Sequence, residues 1–210
     1  MRVAAERGLT HLAITDHGRI DGALEARDRA PDGLDVIVGE EIRTADGDVI
    51  GLFLDHPVPQ GLSAVESVDR IHEQGGLAGL PHPFDRFRNS GLREQRRIAH
   101  LEALAARLDF IEAHNARVPF PSANERAAAF AREHGIPGIA SSDAHTILEV
   151  GVAYTILADF PPTADGLRAV LPGARLVCGR GSFLARGMTP LAKLVNRMRG
   201  EAPASGTLHR

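Results

Sequence analysis

The chain has 210 residues, 43% of them apolar, and a formal net charge of −3. This length favours one domain with a sizeable core, and the balanced charge gives no global pull toward nucleic acid or an anionic membrane. With no Trp and one Tyr, a broad base-stacking platform is not expected; no apolar run reaches the roughly 18 residues of a membrane span, and the opening residues lack the apolar core of a signal peptide. The single cysteine, Cys178, cannot form an internal disulfide, so a reducing cytoplasm is the expected location.

In chain order, a short helix ends at Gly8 and His11 to Thr15 reads as a strand. Asp21 to Arg29 reads as a helix, stopped by Pro31 and Gly33. Asp35 to Gly39 is a second strand, and Asp46-Gly47 marks a hairpin turn into Val49 to Leu54. Ser63, with Glu66 three residues on, predicts a capping box for a helix that runs to Gly75-Gly76. Leu77 to Leu80 is the next strand, followed by a polar loop and a helix from about Arg93 to Arg107. Leu108 to Ala113 (strand), Ser122 to His134 (helix), Ile136 to Ala140 (strand) and Val152 to Leu157 (strand) complete the series. Thr189 to Arg199 predicts a surface helix, and Glu201 to Arg210 a disordered tail. Strands that alternate with helices at this spacing predict parallel α/β units, as a doubly wound sheet or a barrel.

Chemistry-bearing residues follow each strand. The groups are Thr15-Asp16-His17, Gly39-Glu40-Glu41, Pro81-His82-Pro83, Glu112 to Arg117, and Ser141 to His145. Parallel α/β folds place their sites at the C-terminal ends of strands, so five such ends with carboxylate or imidazole point to one metal site. Asp16 and His17 are neighbours and cannot both point inward from a regular strand. His17 is therefore read as the ligand, and Asp16 as a catalytic-group residue that orients it. Asp143 and His145, two apart, face one side of an extended segment. The flanking prolines favour an extended path for His82. Imidazole and carboxylate without thiolate suit Zn²⁺, Mn²⁺ or Fe²⁺. Arg86, Arg88 and Arg117 lie near these motifs and are candidates to bind phosphate oxygens. His72, His100 and His134 fall in predicted helices and are read as structural or exposed. His11 starts a strand far from the site, and His56 is unassigned. A phosphate-binding loop and a nucleophile elbow are both absent from the sequence.

The order and spacing of these motifs, as far as about Tyr154, resemble the PHP family, the polymerase-and-histidinol-phosphatase group of metal-dependent phosphoesterases. The resemblance implies a distorted (β/α)₇ barrel and two to three divalent metal ions (Mn, Zn or Fe) at its C-terminal rim. His17, Glu41, His82, Asp143 and His145 are the implied metal ligands, Glu41 being preferred to Glu40 by the family pattern. His114 stands where related sequences often have no histidine. The family begins with a strand carrying His-x-His, and these residues contain none. The expectation is therefore a barrel missing its first strand, through a misplaced start or a truncation, with a natural short form that has lost activity as the alternative.

The resemblance further implies a phosphoesterase domain over residues 1–180, followed by a helix and tail over 181–210. It implies hydrolysis of phosphate esters by a metal-activated water. The expected partner is a small phosphorylated substrate or nucleotide, with a single-stranded nucleic-acid 5′ end as a variant and no membrane. The alternatives are a 5′-3′ exonuclease or nucleotide bisphosphatase, and a non-catalytic metal-binding barrel.

Overall fold

A computed structural model of the protein describes residues 1–85 and 101–181. Its central strands carry runs of buried Val, Ile, Leu and Ala, with β4 buried at every position, because both faces of the sheet are covered there. The order is α1 (Arg2–Glu6), β1 (His11–His17), α2 (Asp21–Asp28), β2 (Asp35–Thr44), β3 (Gly47–Leu52), α3 (Ala64–Glu73) and β4 (Leu77–Leu80). Helical residues 101–105 (α4) follow. Then come β5 (Phe110–Asn115), α5 (Pro121–His134), β6 (Gly138–Ser141), β7 (Tyr154–Ile156), α6 (Ala164–Val170), a 3₁₀ turn (Leu171–Gly173) and β8 (Arg175–Val177). The expected helix over Thr189 to Arg199 and the tail lie outside the described residues, as does the start of the helix expected from Arg93.

Strands β1 to β6 form one curled half-barrel sheet in chain order. Among the described residues, the sheet ends at β1 on one side and β6 on the other. The expected parallel units form, and the hairpin expected at Asp46-Gly47 sets one strand against them. β1–β2, β4–β5 and β5–β6 are parallel, whereas β3 is antiparallel to both β2 and β4. The hairpin reverses the chain after only Ala45 and Asp46, too few residues for a crossover. β7 and β8 form a separate two-stranded sheet instead of extending the barrel. β1 and β2 also run further than the sequence predicts, so Asp16, His17, Glu40 and Glu41 lie within strands. The predicted capping box forms, with Glu66 N–H donating to Ser63 Oγ and Ser63 N–H to the Glu66 carboxylate.

Strand parity divides the sheet into two faces. Val38, Ile42, Val49, Ala78, Leu80 and Ile111 face outward, where they pack with Ala23 of α2 and Val68 and Ile71 of α3. Ile37, Ile50, Leu52, Leu77 and Phe110 face inward against Leu167 and Leu171. The inner face permits close approach at Gly79, where an added Cβ would lie 2.2 Å from the Phe110 ring. An apolar cavity of about 220 Å³ lies between β1 and β6, lined by Leu12, Ile139 and Ala140 among others. The inner face is thus apolar over these positions, and its polar groups collect at one end.

Candidate metal centre

Register puts His17, Glu41 and Asp48 on the inner face at that end. His17 pairs with Glu41 across β1–β2. Glu41 pairs with Ile50 across β2–β3, and Asp48 lies two residues from Ile50 on β3. His82 arrives from the turn after β4. Its Nε2 is 3.2 Å from Glu41 Oε1, and His17 Nε2 is 3.8 Å from Glu41 Oε2. One ligand atom from each of Glu41, Asp48 and His82 lies within 4.8 Å of the others. Asp48 is the member that the sequence reading missed. That reading looked after strand ends, but β3 runs backwards and delivers Asp48 from its start.

The electrostatics fit a cation. Burial pushes the Asp48 carboxyl above its ordinary range, and the neighbouring Glu41 carboxylate pushes it further, while His82, His17 and Arg43 oppose the shift. Two crowded carboxylates beside an imidazole form a hard-to-borderline donor set, which suits a divalent ion. Donors about 2.1 Å from a shared ion span at most about 4 Å, close to what is seen here.

Neighbouring residues in the motifs do other work. Glu40 alternates to the outer face and is fully buried, accepting from Val58 N–H and Gln60 Nε2, both at 2.8 Å. Asp16 shares that parity and lies against Gly22 at the start of α2, so the structure does not bring it to the centre.

Beside the first cluster stands a second group. Glu112 Oε2 accepts from the backbone N–H of His82 at 2.8 Å and from Asn115 Nδ2 at 2.9 Å. Asn115 Nδ2 also donates to Asp143 Oδ2 at 3.1 Å. Residues 112 and 115 would point to opposite faces of a regular strand. A register shift between Glu112 and His114 brings both inward. Burial raises the Glu112 carboxyl; the adjacent His82 lowers it and Asp143 raises it.

The expected extended paths at His82 and Asp143 are corrected. Their φ angles are +29° and +47°, in the left-handed region. At His82 the hydrogen bond to buried Glu112 holds the turn against the preference set by Pro83. At Asp143 the backbone N–H bonds to Ser141 Oγ at 3.1 Å. His145 Nδ1 is 3.4 Å from Asp143 Oδ1, and also 2.9 Å from the Asp143 carbonyl.

Among the arginines, Arg86 and Arg88 lie outside the described residues. Arg117 is committed elsewhere: its Nη1 donates to Glu149 Oε1 at 2.7 Å, and Glu149 is 1% exposed. Among the described residues, Arg43 is an exposed cation beside the centre. It pairs with Asp48 across β2–β3 on the inner face. His114 is turned away from the centre, with Nε2 bonded to the Gly179 carbonyl at 2.7 Å. His72 bonds Asp109 at 2.9 Å, His11 stacks on Phe160, and His134 lies against Phe130, which are structural roles.

An α/β half-barrel with carboxylates and imidazoles gathered at one end of its strands has a donor set that could hold a metal ion. Comparison with known proteins narrows this reading. Residues 121–174 match the family model described as PHP-associated. Two uncharacterized proteins of Methanocaldococcus jannaschii are similar in sequence. One is 45% identical over 85 residues (40% of this chain, 50% of the relative), and the other is 40% identical over 118 residues (56% and 49%). The chain therefore spans about half the length of the curated relatives it matches.

Three solved structures share the fold. A two-domain protein from Bacteroides vulgatus ATCC 8482, containing a predicted PHP-like metal-dependent phosphoesterase, superposes with TM-score 0.67 at 18% identity, over 85% of this chain and 59% of that one. PsfC from Pseudomonas syringae PB-5123 gives 0.65 at 17% identity, over 94% and 87%. A candidate metal-dependent phosphoesterase from Bifidobacterium adolescentis ATCC 15703 gives 0.54 at 18% identity, over 69% and 80%. The chain thus shares its fold with a PHP-like protein, and part of its sequence, residues 121–174, matches the PHP-associated family.

Among the described residues, no helix is long and apolar enough to cross a membrane.

Proposed function

We propose that the protein binds divalent metal ions at this centre and hydrolyses phosphate esters. The observation that carries the reading is the convergence of Glu41, Asp48 and His82 ligand atoms within 4.8 Å on a PHP fold. His17 completes this first position, and Asp143 and His145 supply a second. Two to three ions of Mn, Zn or Fe would then be held.

Bound divalent ions would supply Lewis acidity and a water of lowered pKa. The chain's own residues hold the geometry. Glu41 and Asp48 balance the charge of the first position. His82 is fixed by its backbone bond to Glu112 and presents Nε2 beside Glu41. Arg43, exposed on the same face, offers a planar guanidinium to phosphate oxygens. A small phosphomonoester is the favoured substrate class, because the charge of −3 and the scarcity of aromatics give long nucleic acids little to hold.

The test is Mn²⁺ and Zn²⁺ titration of the purified chain, followed by a panel of phosphomonoesters and a 5′-phosphorylated oligonucleotide. Turnover that is lost in chelator and restored by Mn²⁺ is expected, with phosphomonoesters preferred. Turnover unchanged by chelation would refute the reading, and preference for the oligonucleotide would move it to a nuclease. Stoichiometric metal binding without turnover would leave the non-catalytic barrel.

A further inference from the structure

Glu149 belongs to none of the sequence motifs, yet it is one of the most buried charged residues of the chain, at 1% exposure. Its carboxylate is fully employed. Oε1 accepts from Arg117 Nη1 at 2.7 Å, and Oε2 accepts from the backbone N–H of His145 at 3.0 Å and from Thr146 Oγ1 at 3.1 Å. A buried acid of this kind persists only with a cation and hydrogen bonds to balance it.

Arg117 leaves β5 two residues after Asn115, and its own N–H donates to Asn115 Oδ1 at 2.8 Å. Asn115 Nδ2 holds the Asp143 carboxylate at 3.1 Å. One strand end therefore grips the Asp143–His145 segment twice. Asn115 takes the Asp143 side chain, and Arg117 takes the His145 backbone through Glu149. The segment between needs that grip, because Asp143 sits at φ +47°, which an aspartate holds only when its surroundings fix it. If Arg117 turned toward a phosphate, a buried carboxylate would be left without its cation.

We infer that Arg117 and Glu149 form a latch that positions Asp143 and His145 for metal binding, so that Arg117 is a positioning residue and not a phosphate ligand. This rests on the reading of Asp143 and His145 as part of the metal site. The latch itself is independent of that reading.

The experiment uses the full chain as wild type, Arg117→Met, Arg117→Lys, Glu149→Ala and Glu149→Gln. Amide hydrogen exchange over residues 142–149 of the metal-free protein tests the latch. Mn²⁺ titration tests its purpose. Exchange is expected to quicken at least about tenfold in Arg117→Met and Glu149→Ala, and Mn²⁺ affinity at one position to fall about 10- to 100-fold, the usual effect of losing a residue that orients a ligand. Arg117→Lys keeps the charge and should stay within about threefold of wild type on both counts. Where a truncating variant does not fold, Arg117→Lys and Glu149→Gln carry the comparison, with Glu149→Gln the weaker binder.

Unchanged exchange in every variant overturns the latch. Faster exchange with unchanged Mn²⁺ affinity overturns its role at the metal site. A raised KM with unchanged Mn²⁺ affinity in Arg117→Met returns Arg117 to phosphate binding. A wild type that binds no Mn²⁺ defeats the proposed function, whereas the exchange result still decides the latch.

Discussion

The two halves of the candidate centre are built differently. His17, Glu41 and Asp48 sit on three adjacent strands, and the ladder register alone aligns them on one face. Asp143 and His145 sit in the turn after β6, where no ladder reaches, and side-chain bonds from Asn115 and Glu149 fix them instead. A site on strands inherits the stiffness of the sheet. A site on a turn has to be tied down by further buried polar groups, each of which must be satisfied.

The contrast is most exposed by removing one ligand from the first metal position. His82→Ala should abolish Mn²⁺ binding at the first position and lower activity at least about 100-fold, since one of the four donors proposed for it is lost; titration and steady-state kinetics read both. Asp48→Asn should weaken Mn²⁺ about 10- to 100-fold, because a neutral amide is a poorer donor beside Glu41. Equal metal affinity in Asp48→Asn would remove Asp48 from the centre. Arg43→Met is expected to raise KM about tenfold while kcat stays within about threefold and Mn²⁺ affinity is unchanged, which separates it from Arg117.

Glu40 and Glu41 sharpen the comparison within one strand. Glu41→Gln should cost at least about tenfold in Mn²⁺ affinity. Glu40→Gln should stay within about threefold, with stability shifted by about 1 kcal/mol as one hydrogen bond to Gln60 is exchanged for a clash of donors. Burial raises the Glu40 carboxyl, against the hydrogen bond from Val58, so its contribution is fully present below its unfolded pKa of about 4.5 and declines as the pH rises through the folded value.

Far from the centre, Asp109 supplies the smallest effect. Burial would raise its carboxyl, but hydrogen bonds from Ala78 N–H, Arg168 and His72 outweigh that and lower it below 3.8. Its stabilisation is therefore present above pH 3.8 and lost as the pH falls through the folded value. Asp109→Asn should cost about 1 kcal/mol at neutral pH by thermal melting, with the gap to wild type closing in acid and Mn²⁺ affinity unmoved.

How much was legible in the sequence follows the same division. Strand ends carrying Asp-His, Glu-Glu and Pro-His-Pro could be read because apolar runs mark strands and polar residues mark where they end. The choice of face at Asp16/His17 was readable from alternation, and β1 places the two on opposite faces. The choice of Glu41 needed the family pattern, since the sequence alone did not show that β2 extends through both glutamates. Asp48 was hidden by strand direction. The pairing of Glu112 with Asn115 was hidden by the irregular register of β5, and the commitment of Arg117 by a buried acid 32 residues away. Long-range polar pairs of that kind leave no periodic trace. A lone Glu after Thr-Ile-Leu reads as an ordinary surface residue.

The account turns on one ion being shared by Glu41, Asp48 and His82. Anomalous scattering from crystals of the full chain grown with Mn²⁺ measures this directly. The account predicts a peak about 2.0–2.3 Å from a carboxylate oxygen of Glu41, one of Asp48, and a ring nitrogen of His82. A peak bound only by Asp143 and His145, or none at saturating Mn²⁺, would contradict it.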